Sequence, residues 1–234
     1  MPNPPSAPLA SMARIGTHPD VYPPAEDSFL LVDTLADIWR EELSARAAPP
    51  NLVIEIGTGS GYVACSNALL AAAHTGASSS RCVTRCSDIN PQAVRVAEQT
   101  FAAHDVAEDA YAVSLGDLLE PHDDAIRANG GADILLFNPP YVVTDSSDVG
   151  SNGIEASWAG GTRGREVLDR LLPRVREALS PNGGMFLCVL VKQNDPEEVM
   201  EILMRDGLRC AIVARCRADE EELFVMRCDR RDES

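Results

Sequence analysis

The sequence predicts an α/β fold: a doubly wound, mostly parallel sheet of seven strands that closes with one antiparallel strand. Three observations carry this expectation. Short apolar, β-branched runs alternate with stretches of helical composition along the 234 residues. The first run, Leu52–Ile56, leads through Gly57-Thr58-Gly59-Ser60-Gly61 into a helical stretch, which is the order strand, glycine loop, helix. The last two runs are joined only by the charged turn Arg217-Ala218-Asp219-Glu220-Glu221, as in a hairpin.

The elements follow in order. Residues 1–17 begin with four prolines in the first eight positions and lack apolar periodicity, so a disordered tail is expected. A helix at Asp27–Ala45 precedes the strand Leu52–Ile56 and the helix Gly61–Ala73. A long Ser/Gly connection to Ser80 then leads to a strand at Cys82–Cys86. Helix Gln92–His104 and strand Ala110–Leu115 come next, followed by Ile134–Phe137, a continuous apolar run of the kind a buried parallel strand requires. Helix Arg165–Leu179 contains Pro173, which should kink it or mark a restart. Strand Met185–Val191, helix Pro196–Asp206 and the strands Cys210–Cys216 and Leu223–Cys228 complete one domain over residues 18–228, and the charged residues 229–234 should fray.

Composition narrows the function classes. No apolar run reaches 18 residues and no secretory apolar segment is present, so neither a membrane span nor a signal is expected. The seven cysteines form no Cys-x-x-Cys pair and lie mostly in expected strands or helices; buried reduced thiols and a cytoplasmic setting, compatible with a nuclear pool, are the reading. The four histidines (His18, His74, His104, His122) show no zinc-type spacing, and no metal site or histidine base is expected. A net charge of -16 repels phosphate backbones and argues against nucleic acid as a partner.

Chemistry concentrates at strand ends. Asn138-Pro139-Pro140-Tyr141 follows the strand ending at Phe137, where open α/β sheets bind ligands. The Asn138 side-chain oxygen can accept from a planar NH2 group while Tyr141 packs on it, which implies amide or amino nitrogen. Taken alone, the tetrapeptide is equally a proline turn with an Asn cap. The glycine loop supplies the second motif. Its Gly-x-Gly-x-Gly spacing, preceded by Glu55, lacks the third glycine of a pyrophosphate cradle and suits S-adenosylmethionine (SAM), which has no phosphate and carries a sulfonium. Asp88 ends the next strand, where an acid meets ribose hydroxyls. Asp117 follows the third strand and reads alone as a cap or turn.

The ordered set carries a resemblance. Val21-Tyr22-Pro23-Pro24-Ala25-Glu26-Asp27-Ser28-Phe29, Glu55 to Gly61, Ser87-Asp88-Ile89-Asn90-Pro91, Phe137 to Val143, Gly153 to Gly161 and Gly164-Arg165-Glu166-Val167 are similar to the class I SAM-dependent methyltransferases of the HemK-like glutamine methyltransferase family. The branch most resembled is the eukaryotic and archaeal one that modifies class I translation release factors. The likeness runs from Tyr22 to Arg227, with Pro23 making a Pro-Pro pair where the family pattern has one proline. It implies a seven-stranded Rossmann-like fold and SAM held by Ser28, Glu55, Gly57, Gly59, Asp88, Asp117, Leu118 and Asn138. It further implies that Asn138, the Pro139 carbonyl and Tyr141 position a substrate amide, with the Val142–Gly161 loop as the substrate-side wall and Trp158 as a packing anchor. The implied reaction is methyl transfer to the glutamine of a Gly-Gly-Gln motif, and the implied partner is a small zinc-binding activator that adds a strand beside Ala110–Leu115. Adenine-N6 nucleic-acid methylation, protein lysine methylation and an inactive scaffold are the alternatives.

Overall fold

In a computed structural model the described residues are 8–46, 49–75, 82–150, 154–218 and 221–231. Six helices, α1 (Glu26–Glu41), α2 (Tyr62–Thr75), α3 (Pro91–Ala103), α4 (Asp123–Asn129), α5 (Glu166–Ala178) and α6 (Pro196–Arg205), surround seven strands. The strands are β1 (Leu52–Ile56), β2 (Val83–Asp88), β3 (Tyr111–Leu115), β4 (Ile134–Phe137), β5 (Asn182–Val191), β6 (Arg209–Ala218) and β7 (Glu221–Arg231). They form one sheet in the order β3-β2-β1-β4-β5-β7-β6. The first five run parallel, and β7 lies antiparallel to both β5 and β6, as the hairpin reading predicts.

Helices cover both faces, which explains the continuous apolar runs of the central strands. Leu31, Leu35 and Trp39 of α1 join Ala64, Cys65 and Ala68 of α2 and Phe101 of α3 over one face. Leu168, Leu171 and Val175 of α5 join Ile126 of α4 and Val199 and Leu203 of α6 over the other. α1, α3, α5 and α6 each bury one stripe, α2 is buried on nearly every side from Tyr62 to Ala71, and the carboxyl ends of β1, β2 and β4 are left free to build a site.

Some expectations are corrected. Residues 8–17 are packed against the domain: Ala10 is buried, its N–H donates to Ser66 Oγ at 3.1 Å, the Ser11 N–H donates to His104 Nε2 at 2.8 Å and the Gly16 N–H to Thr100 Oγ1 at 3.1 Å. These bonds reach side chains far away in sequence, so no local pattern announces them; residues 1–7 lie outside the described residues. β7 continues to Arg231, with Asp229 paired to Met185 and Arg231 to Asn182, where fraying is expected; residues 232–234 are outside the description. Helix α5 runs through Pro173 without a restart, because Pro173 and Asp169, whose carbonyl loses its donor, both lie on the exposed face. Cys210 and Cys228 are disulfide-bonded, not reduced: they stand opposite each other on β6 and β7 with Cα atoms 4.1 Å apart. The other five cysteines are free.

Both sheet edges matter later. β3 carries no charged residue, Tyr111 and Val113 pack partly onto the core, and Leu115 is 58% exposed. β6 at the opposite edge has a bulge between Ile212 and Ala214 and exposes Arg209, Arg215 and Arg217.

Candidate active site

The strand ends and the loops after them line one open pocket at the carboxyl edge of the sheet, the place where a doubly wound sheet binds its ligand. It is lined by Ser28, Glu55, Gly57, Gly59, Asp88, Asp117, Leu118, Asn138 and Pro139, all singled out from the sequence. Tyr141 is not among the lining residues. Its ring is partly buried against the core, and its hydroxyl donates to Asp27 Oδ2 at 3.1 Å, which ties the tetrapeptide to the start of α1. Burial, then the nearby Asp27 carboxylate, push the Tyr141 phenol well above its ordinary range.

The glycine loop is shaped by three positive φ angles, at Gly57 (66°), Gly59 (53°) and Gly61 (77°). Gly61 is required for a second reason: a Cβ there would lie 2.8 Å from Ala97 Cα, so its absence lets α2 and α3 approach. Two acids hold the loop from beneath. Glu55 is 2% exposed and accepts from Thr58 Oγ1 at 2.6 Å and from the Ala64 N–H at 3.0 Å, so its carboxyl caps α2. Asp88 accepts from the Gly59 N–H at 2.9 Å through one oxygen and from the Asn90 N–H at 2.8 Å through the other. The carboxylate keeps acceptor capacity for a ligand hydroxyl beyond these bonds.

Burial raises the Glu55 pKa to about 8, against the smaller opposing pull of Thr58 and Ala64. The folded chain then holds a proton that the unfolded chain releases, so this group's contribution to stability is greatest below pH 4.5 and declines as pH rises toward about 8. Glu55→Gln keeps an acceptor oxygen and cannot titrate. Its melting temperature should depend less on pH across that window, and a slope equal to the wild type's would refute the assignment. Asp88 is also raised, by burial opposed by its backbone hydrogen bonds.

The loop after β3 forms the far wall. Asp117 is ion-paired with Arg170 of α5, and Leu118 adopts φ 49°, rare for a bulky residue. The Ser87 hydroxyl supports it by donating to the Leu118 carbonyl at 3.4 Å, and His122 Nε2 lies 2.9 Å from Ser87 Oγ. His122 is fully buried and its pKa falls to about 4, chiefly through burial and then through Arg85, so it holds this wall as a neutral ring. No histidine lines the pocket.

Asn138 is the most informative group. It follows β4, and its Oδ1 is buried with no hydrogen-bond partner, one of three such side-chain atoms among the described residues. An unsatisfied buried acceptor costs roughly 1–3 kcal/mol unless a ligand donor meets it. Val149, Gly150 and Ser157 line the pocket from the loop beyond. Trp158 is 37% exposed, and its carbonyl accepts from the Val142 N–H at 3.0 Å.

The lining suits SAM. Asp20, Asp27, Asp88 and Asp117 face a single cation, Arg170, already paired with Asp117, while Glu55 beside them is held protonated by burial. Phosphates would be repelled here, while a sulfonium is favoured.

No family model matches the chain. It is 41% identical over 221 residues to the mouse protein named methyltransferase HEMK2, covering 94% of both chains. It is 34% identical to the eRF1 methyltransferase catalytic subunit mtq2 of Schizosaccharomyces pombe, covering 96% of each, and 30% identical to a protein of Methanocaldococcus jannaschii named for N5-glutamine methylation, covering 91% and 93%. Among solved structures, the E. cuniculi Mtq2–Trm112 complex matches with a TM-score of 0.61 at 23% identity over 90% of this chain and 99% of that one, a likeness of fold. With nine predicted site residues on one pocket and relatives above 30% identity along nearly its whole length, the chain belongs to the HemK-like glutamine methyltransferase family.

Proposed function

We propose that this chain methylates the side-chain amide nitrogen of the glutamine in the Gly-Gly-Gln motif of a class I translation release factor, with SAM as methyl donor. The observation that carries the reading is the buried, unpartnered Asn138 Oδ1 at the pocket wall. A primary amide offers two N–H donors, and Oδ1 takes one while the Pro139 carbonyl takes the other. That holds the nitrogen in line with the donor at about 3 Å and stabilises the positive charge that develops on it. SAM, when bound, supplies an electrophilic methyl on a cationic sulfur. The chain's own part is positioning. Asp88 accepts from the ribose, Leu118 and Ile89 offer apolar contact to the adenine, and Ser28 faces the methionine end. Tyr141 acts by anchoring the tetrapeptide through Asp27.

The S. pombe relative's name, an eRF1 methyltransferase catalytic subunit, supports this substrate and a second subunit. The proposed partner is a small zinc-binding activator that pairs with the uncharged β3 edge and covers Leu115 in the cytoplasm. Among the described residues no helix is long and apolar enough to cross a membrane.

Radiolabelled SAM would be incubated with the chain and a release factor, its Gln→Ala variant in the Gly-Gly-Gln motif, or duplex DNA. Label should enter only the unmodified release factor; label in DNA, or equal label in the variant, would overturn the reading. Co-expression with the activator should raise soluble, active enzyme, and Val113→Asp should abolish that gain. A fully active monomer indifferent to Val113→Asp would remove the partner from the proposal.

A further inference from the structure

We infer that Asn194, between β5 and α6, is a positioning residue of methyl transfer: it fixes the backbone that presents the Asn138 and Pro139 acceptors. The inference rests on the reading of Asn138 above. Asn194 is fully buried, and its Nδ2 group lies 3.0 Å from each of three carbonyls, those of Tyr141, Arg163 and Gly164, among which its two N–H donors are shared. Its Oδ1 accepts from the Val191 N–H at 2.9 Å, so one side chain joins the end of β5 to the exit of the tetrapeptide.

The surroundings concentrate on the same point. Arg163 (φ 59°) and Asp195 (φ 54°) both adopt the left-handed conformation that non-glycine residues avoid. They are held there by the Arg163 guanidinium, 2.9 Å from Asp195 and 2.6 Å from Glu198. Buried Arg165 donates to the Asn194 carbonyl at 3.1 Å and to Glu198 at 2.8 Å. From the opposite side the segment presses bare backbone onto the tetrapeptide. A Cβ at Gly160 would lie 2.6 Å from the Pro140 carbonyl oxygen, and one at Gly164 would collide with the Tyr141 carbonyl oxygen.

The Tyr141 carbonyl is thus clamped between Asn194 and Gly164. It lies three residues beyond Asn138 in sequence, and Pro139 and Pro140 have fixed φ, so few torsions can absorb a shift before it reaches the two acceptors. A displacement near 1 Å costs on the order of 10²-fold in rate, while the glycine loop and Asp88, which hold the cofactor, belong to other elements.

The test compares Asn194→Ala, Asn194→Asp and Gly164→Ala with Asn138→Ala, using the full chain in the preparation that methylates release factor. Asn194→Asp keeps the acceptor for Val191 and removes the donors to the three carbonyls, so it isolates the clamp from the β5 contact. The expected result for all three is a kcat lowered on the order of 10- to 100-fold, SAM affinity by calorimetry within about threefold, and no recovery with excess SAM. If the Asn194 variants do not fold, Gly164→Ala displaces the same carbonyl with Asn194 intact and decides the matter. Wild-type kcat in the folded variants beside an inactive Asn138→Ala, or kcat lost only in proportion to SAM affinity and melting temperature, overturns the inference alone. An active Asn138→Ala overturns the underlying reading, and the inference with it.

Discussion

Asn138→Ala will leave a folded chain that binds SAM within about tenfold of wild type and loses turnover by on the order of 10² to 10³. The asymmetry follows from what Oδ1 touches. It is buried and bonded to nothing in the chain, so its removal breaks no intramolecular bond. The amide nitrogen it would receive gains positive charge only as the methyl transfers, so the lost interaction belongs chiefly to the transition state. Single-turnover methylation of a release factor, with calorimetry for SAM, checks both halves. Near-normal turnover would sink the mechanism.

The second large effect belongs to the cofactor side. Asp88→Ala should weaken SAM at least tenfold, through two losses that act together. The ribose loses a charged acceptor, and charge-assisted hydrogen bonds contribute about 1.5–3 kcal/mol each. The Gly59 and Asn90 N–H groups, now 2.9 Å and 2.8 Å from the carboxylate, also lose theirs, so the glycine loop relaxes. Asp88→Asn separates the two, because its side chain retains one acceptor oxygen. Calorimetry giving wild-type affinity for Asp88→Ala would place the ribose elsewhere.

What the sequence revealed depended on how local the determining physics is. β1 and β4 fall at Leu52–Ile56 and Ile134–Phe137, as expected, because a strand buried on both faces writes itself as an apolar run. β2 reaches Asp88, two residues past the apolar stretch, because pairing with β3 continues through Ser87 and Asp88 and a backbone ladder needs no apolar side chain. Helix α4 escaped notice, since its seven residues bury Ile126 alone and show no period. The site was legible where a residue sits at a strand end, as Glu55, Asp88 and Asn138 do. Asp27 was visible inside the Pro-Pro-Ala-Glu-Asp-Ser motif, without any sign that it would receive the Tyr141 hydroxyl. Asn194 gave no signal: Asn194-Asp195-Pro196 reads as an ordinary helix start, and the carbonyls that its Nδ2 group meets lie 30 to 53 residues away.

The bulge on β6 bears on how many molecules one sheet can recruit. A sheet with two receptive edges of complementary shape can add copies head to tail, and such an arrangement need not close. Here the extra residue beside Ile212 breaks the even hydrogen-bond spacing of one edge, and Arg209, Arg215 and Arg217 set like charges along it. A second copy offering its own β6 would meet repulsion and mismatched register. The opposite edge, with Tyr111, Val113 and Leu115, has neither defence. The β6 edge is thus guarded against strand addition and the β3 edge is not, so a strand donor, where one binds, is expected at β3, and copies are not expected to chain head to tail through β6.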